Sequence, residues 1–136
     1  MTFVVDASVT LSWHLDDEPN AYSDKVLGRL AAEPAIVPRI WFLEVANGLL
    51  LAERRRRITS AHSAHVHQAL ANLPITADDL SLDLALGSIL SLARSQNLSA
   101  YDASYLELAM REGLQLATLD DRLRAAALAA GVSLAE

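Results

Sequence analysis

The chain of 136 residues contains no cysteine. That absence excludes disulfides, thiolate catalysis and cysteine-based zinc sites, and it fits a reducing compartment. No apolar run approaches the ~20 residues that a membrane-spanning helix requires. The first residues lack the basic region followed by an apolar region that marks a signal peptide. These absences predict a soluble cytoplasmic protein without a membrane segment, and the length predicts a single domain over residues 1–136.

Positive charge is also scarce, since the formal net charge is −6. Proteins that coat nucleic acid are usually basic. An enzyme acting on nucleic acid is not excluded, because bound cations can reverse the sign of the charge around an acidic pocket. Lys25 is the only lysine, which excludes a phospho-receiver domain with its late lysine. Asp6-Ala7-Ser8 lacks the second acid of the D-x-D motif that a haloacid-dehalogenase-like phosphatase needs.

Apolar periodicity predicts alternating strands and helices. Strands are predicted at residues 2–6, 36–37, 74–76 and 114–118, with a final edge strand at 132–134. Helices are predicted at residues 8–14, about 20–32, 40–56, about 60–73, from 78 onward, 99–113 and 120–130. Strands separated by helices indicate an α/β fold, in which a mostly parallel sheet carries helices on both faces.

The most informative residue is Asp6, which follows the apolar run Phe3–Val5 and precedes Ala7-Ser8. In open α/β folds the carboxyl ends of the parallel strands line the ligand crevice. We therefore expect Asp6 to point into that crevice, with the Ser8 hydroxyl placed to hold its carboxylate or a metal-bound water. The alternative is that Asp6 only caps the following helix.

Glu44 lies inside the predicted helix of residues 40–56, three residues before Asn47, so the two share a polar stripe. The alternative is a solvated surface glutamate. Gly48 is the neighbouring residue, and a glycine inside a helix costs about 1 kcal/mol relative to alanine. Its presence predicts that another element packs closely against this helix.

Two further acids stand near predicted helix starts. Asp102 closes the segment Ser99–Asp102, which matches a capping box, so N-terminal capping is its structural alternative. Asp120 follows a predicted strand, and capping of the next helix is again its alternative. The neighbouring Asp121 could share either role.

Asp6, Glu44, Asp102 and Asp120 are all predicted on one rim of the sheet. If they converge, their repulsion raises some of their pKa values unless a divalent cation lies between them. Mg²⁺ suits oxygen ligands and keeps several waters. A water polarised by the ion is a competent nucleophile toward a phosphodiester, and a second ion about 4 Å away could stabilise the leaving oxygen. The set therefore predicts metal-assisted phosphodiester hydrolysis that leaves a 5′-phosphate and a 3′-hydroxyl.

Four segments, in order, resemble the motifs of the PIN-domain ribonucleases, in particular the VapC-type toxins of bacterial toxin–antitoxin pairs. They are Val4–Ser8, Trp41–Asn47, Tyr101–Ala109 and Leu116–Leu123, and the match covers nearly the whole chain. The resemblance implies that the metal-binding and catalytic acids are Asp6, Glu44, Asp102 and Asp120, with the hydroxyls of Ser8 and Thr118 in support. Asn47 and Asp121 are further supporting candidates.

The resemblance also implies a three-layer α/β/α sandwich with a short central sheet of four to five strands. The activity it implies is that of an endoribonuclease using one or two Mg²⁺ or Mn²⁺ ions on a structured RNA, often tRNA or rRNA. It implies a cognate VapB-like antitoxin, whose C-terminal segment occupies the active-site groove, and a homodimer. The alternative is a catalytically silent PIN-like module that binds RNA or protein. A DNA substrate is disfavoured because the small chain lacks a DNA-clamping insertion.

The dense basic run Arg54-Arg55-Arg56-Arg57 lies at the end of the Glu44 helix. One interpretation is that these side chains are solvated cations that complement the negative end of the helix. The other interpretation is that they contact RNA phosphates, which would make binding depend on salt, or an acidic partner.

His62, His65 and His67 lie close together in the sequence, but no further ligand is evident, so a zinc site is disfavoured. Trp13 and Trp41 are expected in the core or in an interface rather than as platforms for stacked bases.

Overall fold

The computed structural model describes residues 1–15 and 19–136. The strands are β1 (Phe3–Val5), β2 (Ala35–Val37), β3 (Ile75–Ala77) and β4 (Gln115–Ala117). The helices are α1 (Ala7–Leu15), α2 (Ala21–Arg29), α3 (Ile40–Arg54), α4 (Ser60–Ala71), α5 (Leu82–Leu84), α6 (Leu90–Gln96), α7 (Ala100–Glu112) and α8 (Asp121–Ala129). A π-helical turn at Ala85–Ile89 joins α5 to α6.

The sheet is parallel throughout, in the order β3-β2-β1-β4. The chain steps outward from β1 to β2 and β3 and then returns to the other side of β1, so the strand order reverses between β1 and β4. Ligands bind at such switch points, beyond the carboxyl ends of the strands. The register pairs Val5 with Ala117. The next residues, Asp6 and Thr118, therefore leave the sheet side by side.

Helices cover both faces of the sheet. Phe3, Val4 and Val5 of the central strand are all 0% exposed. Because successive strand residues point to opposite faces, a strand buried at every position must be covered on both sides. The prediction of an α/β/α arrangement around a short parallel sheet is confirmed.

Capping residues stand at the ends of several helices. The Thr59 side chain accepts a hydrogen bond at the start of α4, and the Ser99 hydroxyl accepts one from the Asp102 N–H at the start of α7. Gly113 ends α7 with a φ of 64°, a left-handed conformation that glycine adopts without steric cost.

The prediction that a long helix begins at residue 78 was wrong. The first helical residue is Leu82. Asp78 instead forms an ion pair with Arg111 of α7, and Asp79 forms one with Arg39. These acids therefore connect separate parts of the fold and do not belong to the first turn of a helix.

The final edge strand predicted at residues 132–134 was also wrong. That segment contributes one isolated parallel bridge between Leu116 and Leu134, so the sheet of the described residues has four strands. Within the same residues, no helix is both long and apolar enough to cross a membrane.

Helix α1 packs closely against α3 at Gly48. A Cβ atom added to Gly48 would lie 2.5 Å from Cδ1 of Leu11. The prediction that another element packs against this glycine is confirmed.

Both tryptophans belong to the packed interior. Trp41 is 5% exposed, and its Nε1 donates to Thr10 Oγ1 at 3.1 Å. Trp13 packs against the core, and its Nε1 donates to the Ser23 carbonyl at 2.8 Å. Their indole nitrogens tie α1 to α3 and to α2, as core tryptophans with satisfied N–H groups do.

Candidate active site

Asp6 lies at the switch point of the sheet, directly after β1. Its N–H donates to the Ala117 carbonyl at 2.9 Å, which continues the β1–β4 pairing by one residue. Its Oδ2 accepts hydrogen bonds from Ser8 Oγ and Thr118 Oγ1, both at 2.7 Å. The side chain is 5% exposed. The orientation of this carboxylate is therefore set by both its strand and the two hydroxyls.

The same two hydroxyls also bind the turn after β4. Ser8 Oγ accepts from the Leu119 N–H, and Thr118 Oγ1 accepts from the Asp120 N–H, both at 3.0 Å. Asp120 in turn caps α8, because its Oδ1 accepts from the N–H at position 123 at 3.0 Å. Capping uses one of the two carboxylate oxygens. Asp120 is thus an N-cap whose backbone is also bonded to Thr118, one of the two hydroxyl residues that hold Asp6.

Glu44 is half-buried on α3, one turn after Trp41. Its Oε1 accepts a hydrogen bond from the Tyr105 hydroxyl at 2.6 Å. Tyr105 was not among the residues that the sequence indicated. The available signal was a tyrosine close to Ala103, Leu106 and Leu108 of the same helix, since a buried tyrosine normally needs a partner for its hydroxyl.

Asp102 lies in the first turn of α7, where its N–H donates to Ser99 Oγ at 3.0 Å. Its carboxylate is half-buried. The cap uses the backbone N–H of Asp102. Burial raises the pKa of the carboxylate, and a side-chain hydrogen bond with Ser99 opposes that effect.

Repulsion between their charges links the four acids. Burial is the largest effect and raises the pKa of Asp6, Glu44 and Asp102. The charge of Asp120 further raises the pKa of Asp6 and of Asp102. Asp6 and Asp102 do the same to Glu44. The hydrogen bonds from Ser8 and Thr118 oppose the effect at Asp6 without cancelling it.

The chemical type of these four side chains suits a hard divalent cation. All four groups are carboxylates, and their mutual repulsion is the electrostatic cost that a cation removes. Across residues 1–15 and 19–136, no three His, Asp or Glu side chains are arranged so that they could all hold one metal ion directly. Mg²⁺ usually takes one or two carboxylates and keeps several waters. Acids that surround one region without all meeting therefore suit Mg²⁺ better than a closed zinc site.

The supporting candidates Asn47 and Asp121 and the group of histidines remain to be placed. Asn47 on α3 and Asp121 in the first turn of α8 are exposed. The histidine group holds no metal site in the described residues, and His62 Nε2 instead lies 3.0 Å from the His14 carbonyl oxygen. Since a carbonyl only accepts, His62 donates there.

One residue of the basic run has a hydrogen bond to another part of the fold. Arg54, Arg55, Arg56 and Arg57 are all exposed. Arg57 Nη2 donates to the Leu15 carbonyl at 2.9 Å, and it thereby satisfies a carbonyl at the end of α1.

Comparison with known sequences identifies similar proteins. The sequence profile of the PIN-domain family matches residues 3–128. Ribonuclease VapC9 of Mycobacterium tuberculosis is 34% identical to the chain over 120 residues, which are 88% of this chain and 87% of that protein.

Solved structures share the fold. PAE2754 from Pyrobaculum aerophilum superposes with a TM-score of 0.69 at 28% identity, over 93% of this chain and 79% of its own. FitAcB from Neisseria gonorrhoeae superposes with a TM-score of 0.66 at 21% identity, over 100% of this chain and 97% of its own.

Proposed function

The chain belongs to the PIN-domain family, and we propose that it is a VapC-type endoribonuclease that hydrolyses RNA phosphodiester bonds. The observation that carries this proposal is the buried Asp6 carboxylate, which Ser8 and Thr118 hold at the switch point of the sheet. The other three acids all interact electrostatically with it. The relative with 34% identity is itself named a ribonuclease. No observation favours a silent binding module.

The proposed cofactor is Mg²⁺ or Mn²⁺, as one or two ions held by Asp6, Glu44, Asp102 and Asp120. When bound, the ion would polarise a water for attack on phosphorus and stabilise the charge that develops on the phosphate oxygens. The support is the donor chemistry and the raised pKa values of three of these acids, whose repulsion a cation would relieve.

The protein's own groups supply order to this site. Ser8 and Thr118 keep the Asp6 carboxylate fixed by donating to one of its oxygens. Thr118 also accepts from the Asp120 N–H, so one hydroxyl connects the Asp6 carboxylate to the backbone of Asp120. Fixed carboxylates need no rearrangement when a charged phosphate arrives, which is the basis of electrostatic preorganisation. Asn47 and Asp121 are proposed to assist from the exposed rim.

The proposed substrate is a structured RNA, such as tRNA or rRNA. Arg54, Arg55 and Arg56 are exposed cations that could neutralise its phosphates. Arg57 is assigned to the end of α1 because of its bond to Leu15.

We further propose neutralisation by a VapB-like antitoxin and assembly as a homodimer. Phe42 and Leu43, next to Glu44 on α3, are 51% and 68% exposed. An apolar groove of about 380 Å³ runs between α3 and α4. Both features would accept an apolar segment of a partner beside the acids. A small reading frame directly upstream would support this pairing, and its product should then abolish RNA cleavage when it is added to the purified protein.

The central experiment is cleavage of total RNA by purified, antitoxin-free protein in Mg²⁺, in Mn²⁺ and in EDTA. Asp6→Asn is the test variant, and Asp83→Asn is the matched control, because Asp83 is an exposed acid on α5. We expect discrete, metal-dependent fragments with 5′-phosphates from wild type and from the control, and none from Asp6→Asn.

If wild type and Asp6→Asn produce the same fragments, the cleavage does not come from this site. The acids would then serve the structure, and the silent binding module would become the better account.

A further inference from the structure

The Tyr105 hydroxyl is buried against one of the proposed metal-binding acids. Tyr105 is 0% exposed and donates to Glu44 Oε1 at 2.6 Å. The two residues come from different helices, α7 and α3. A hydrogen bond from a neutral donor to a carboxylate at this distance is short and charge-assisted, and it restricts the orientation of the acceptor.

The phenol can only be a donor in this position. A carboxylate oxygen only accepts hydrogen bonds, so the Tyr105 hydroxyl must donate to Glu44. It occupies one oxygen of Glu44 and leaves the second oxygen as the group that can turn toward a cation.

The backbone that carries Glu44 is anchored separately. Trp41, one turn earlier on α3, donates its indole N–H to Thr10 Oγ1 at 3.1 Å. Thr10 Oγ1 donates to the Asp6 carbonyl at 3.4 Å. This chain of contacts sets α3 relative to the end of β1. The Tyr105 hydroxyl then sets the side chain, which on a half-exposed helix face would otherwise sample several rotamers.

We propose that Tyr105 is a positioning residue that orients the Glu44 carboxylate for the divalent cation. This inference rests on the proposed function, because it assigns Glu44 to the metal site. Groups that hydrogen-bond to metal ligands typically contribute 10–100-fold to metal affinity. A core tyrosine that merely finds a partner for its hydroxyl would contribute to folding and leave the metal affinity unchanged.

The test is the dissociation constant for Mn²⁺, measured by the electron paramagnetic resonance signal of the free ion. Tyr105→Phe removes only the hydroxyl. Tyr101→Phe is the matched control, because Tyr101 lies on the same helix and is 60% exposed. We expect Tyr105→Phe to weaken Mn²⁺ binding about tenfold and Tyr101→Phe to change it by less than about twofold.

A double-mutant cycle shows whether the hydroxyl acts through Glu44. In a Glu44→Ala background there is no carboxylate to orient, so adding Tyr105→Phe should have no further effect on Mn²⁺ binding. A tenfold effect that persists in that background would overturn the proposal. Unchanged Mn²⁺ binding by the Tyr105→Phe protein would also overturn the proposal. If the Tyr105→Phe protein no longer unfolds cooperatively on heating, the hydroxyl serves the stability of the core, and the proposal is overturned as well.

Failure of the proposed function gives a different result. If wild-type protein does not bind Mn²⁺ at all, both the metal site and the role of Tyr105 are refuted. If wild type binds Mn²⁺ and cleaves RNA while Tyr105→Phe binds equally well, only the role of Tyr105 is refuted.

Discussion

Asp6 combines two opposing influences on its charge. Burial raises its pKa, whereas the hydrogen bonds from Ser8 and Thr118 lower it, and burial is the larger effect. In the metal-free protein the ionised carboxylate is therefore less favourable in the folded chain than in the unfolded chain. This residue costs folding stability at neutral pH, as residues tuned for function often do.

Replacing Asp6 by asparagine should stabilise the metal-free protein at pH 7 by about 1 kcal/mol, or a few degrees in Tm. A carboxyl group with a raised folded pKa contributes stability below its unfolded pKa and loses it as the pH rises through the folded pKa. The difference in Tm between Asp6→Asn and wild type should therefore shrink as the pH falls from 7 toward about 4.

Thermal unfolding in EDTA and in Mn²⁺ over this pH range measures both effects. Mn²⁺ should raise the Tm of wild type and leave that of Asp6→Asn unchanged. An Asp6→Asn protein that melts below wild type in EDTA at pH 7 would show that the hydrogen bonds of the carboxylate outweigh its burial.

Thr118 is the second residue on which the site geometry depends. Thr118→Val keeps the shape but removes the hydroxyl that donates to Asp6 and accepts from the Asp120 N–H. We expect a loss of about 1–3 kcal/mol, because buried polar groups are left without a partner, together with a strong loss of RNA cleavage.

Thr118→Ser is the matched variant, since it retains the hydroxyl. Urea unfolding and cleavage assays should place it close to wild type. Equal cleavage by the valine and serine variants would show that the hydroxyl plays no part in the reaction.

Among the elements, the pair α1 and α3 determines how the site is assembled. Helix α1 begins directly after Asp6, and α3 carries Glu44. The two helices meet where Gly48 faces Leu11. The absence of a side chain at position 48 allows the helices to approach closely, and this distance sets how far Glu44 stands from the end of β1.

Gly48→Ala should destabilise the protein by about 1–2 kcal/mol, because its Cβ would overlap with the Leu11 side chain. This is a net effect, because the cost of the overlap should exceed the gain of about 1 kcal/mol in helix propensity. Gly28→Ala is the control, because an added Cβ on α2 meets no atom within 4 Å. We expect the control to gain up to about 1 kcal/mol. Equal gains for both variants in urea unfolding would show that Leu11 moves aside without cost.

Over the whole molecule, acidic residues outnumber basic ones, and the net charge is −6. Four acids surround the candidate site, and Arg54, Arg55 and Arg56 are exposed at the C-terminal end of α3. Attraction of RNA to an acidic protein therefore depends on local cations and on the ions bound by the acids.

Arg54→Gln combined with Arg55→Gln, in an Asp6→Asn background that does not cut RNA, should reduce the salt dependence of RNA binding. For single-stranded RNA, each lost phosphate contact lowers the slope of log K against log salt by about 0.7. Arg94→Gln on α6 is the control for an exposed arginine elsewhere. An unchanged slope in the double variant would assign the arginines to the end of the helix.

The order and type of the elements followed from local patterns. The apolar run at residues 3–5 predicted β1, and the capping box at Ser99–Asp102 marked the start of α7, because periodicity and capping depend on residues close together in the chain. The wrong helix start at residue 78 has a non-local cause, since Asp78 pairs with Arg111. The residues next to Asp78 in the sequence do not reveal a partner that lies 33 positions away in the chain.

The candidate site divides in the same way. Asp6, Glu44, Asp102 and Asp120 could be selected from the sequence, since each belongs to a contiguous motif, and an acid after a strand or at a helix start, as at Asp6, Asp102 and Asp120, is a local feature. Their roles in metal binding remain a prediction. The Tyr105–Glu44 hydrogen bond, by contrast, joins residues 61 positions apart. Only the packing of α7 and α3 around the parallel sheet brings them together, because no local pattern records which side chains meet across a core.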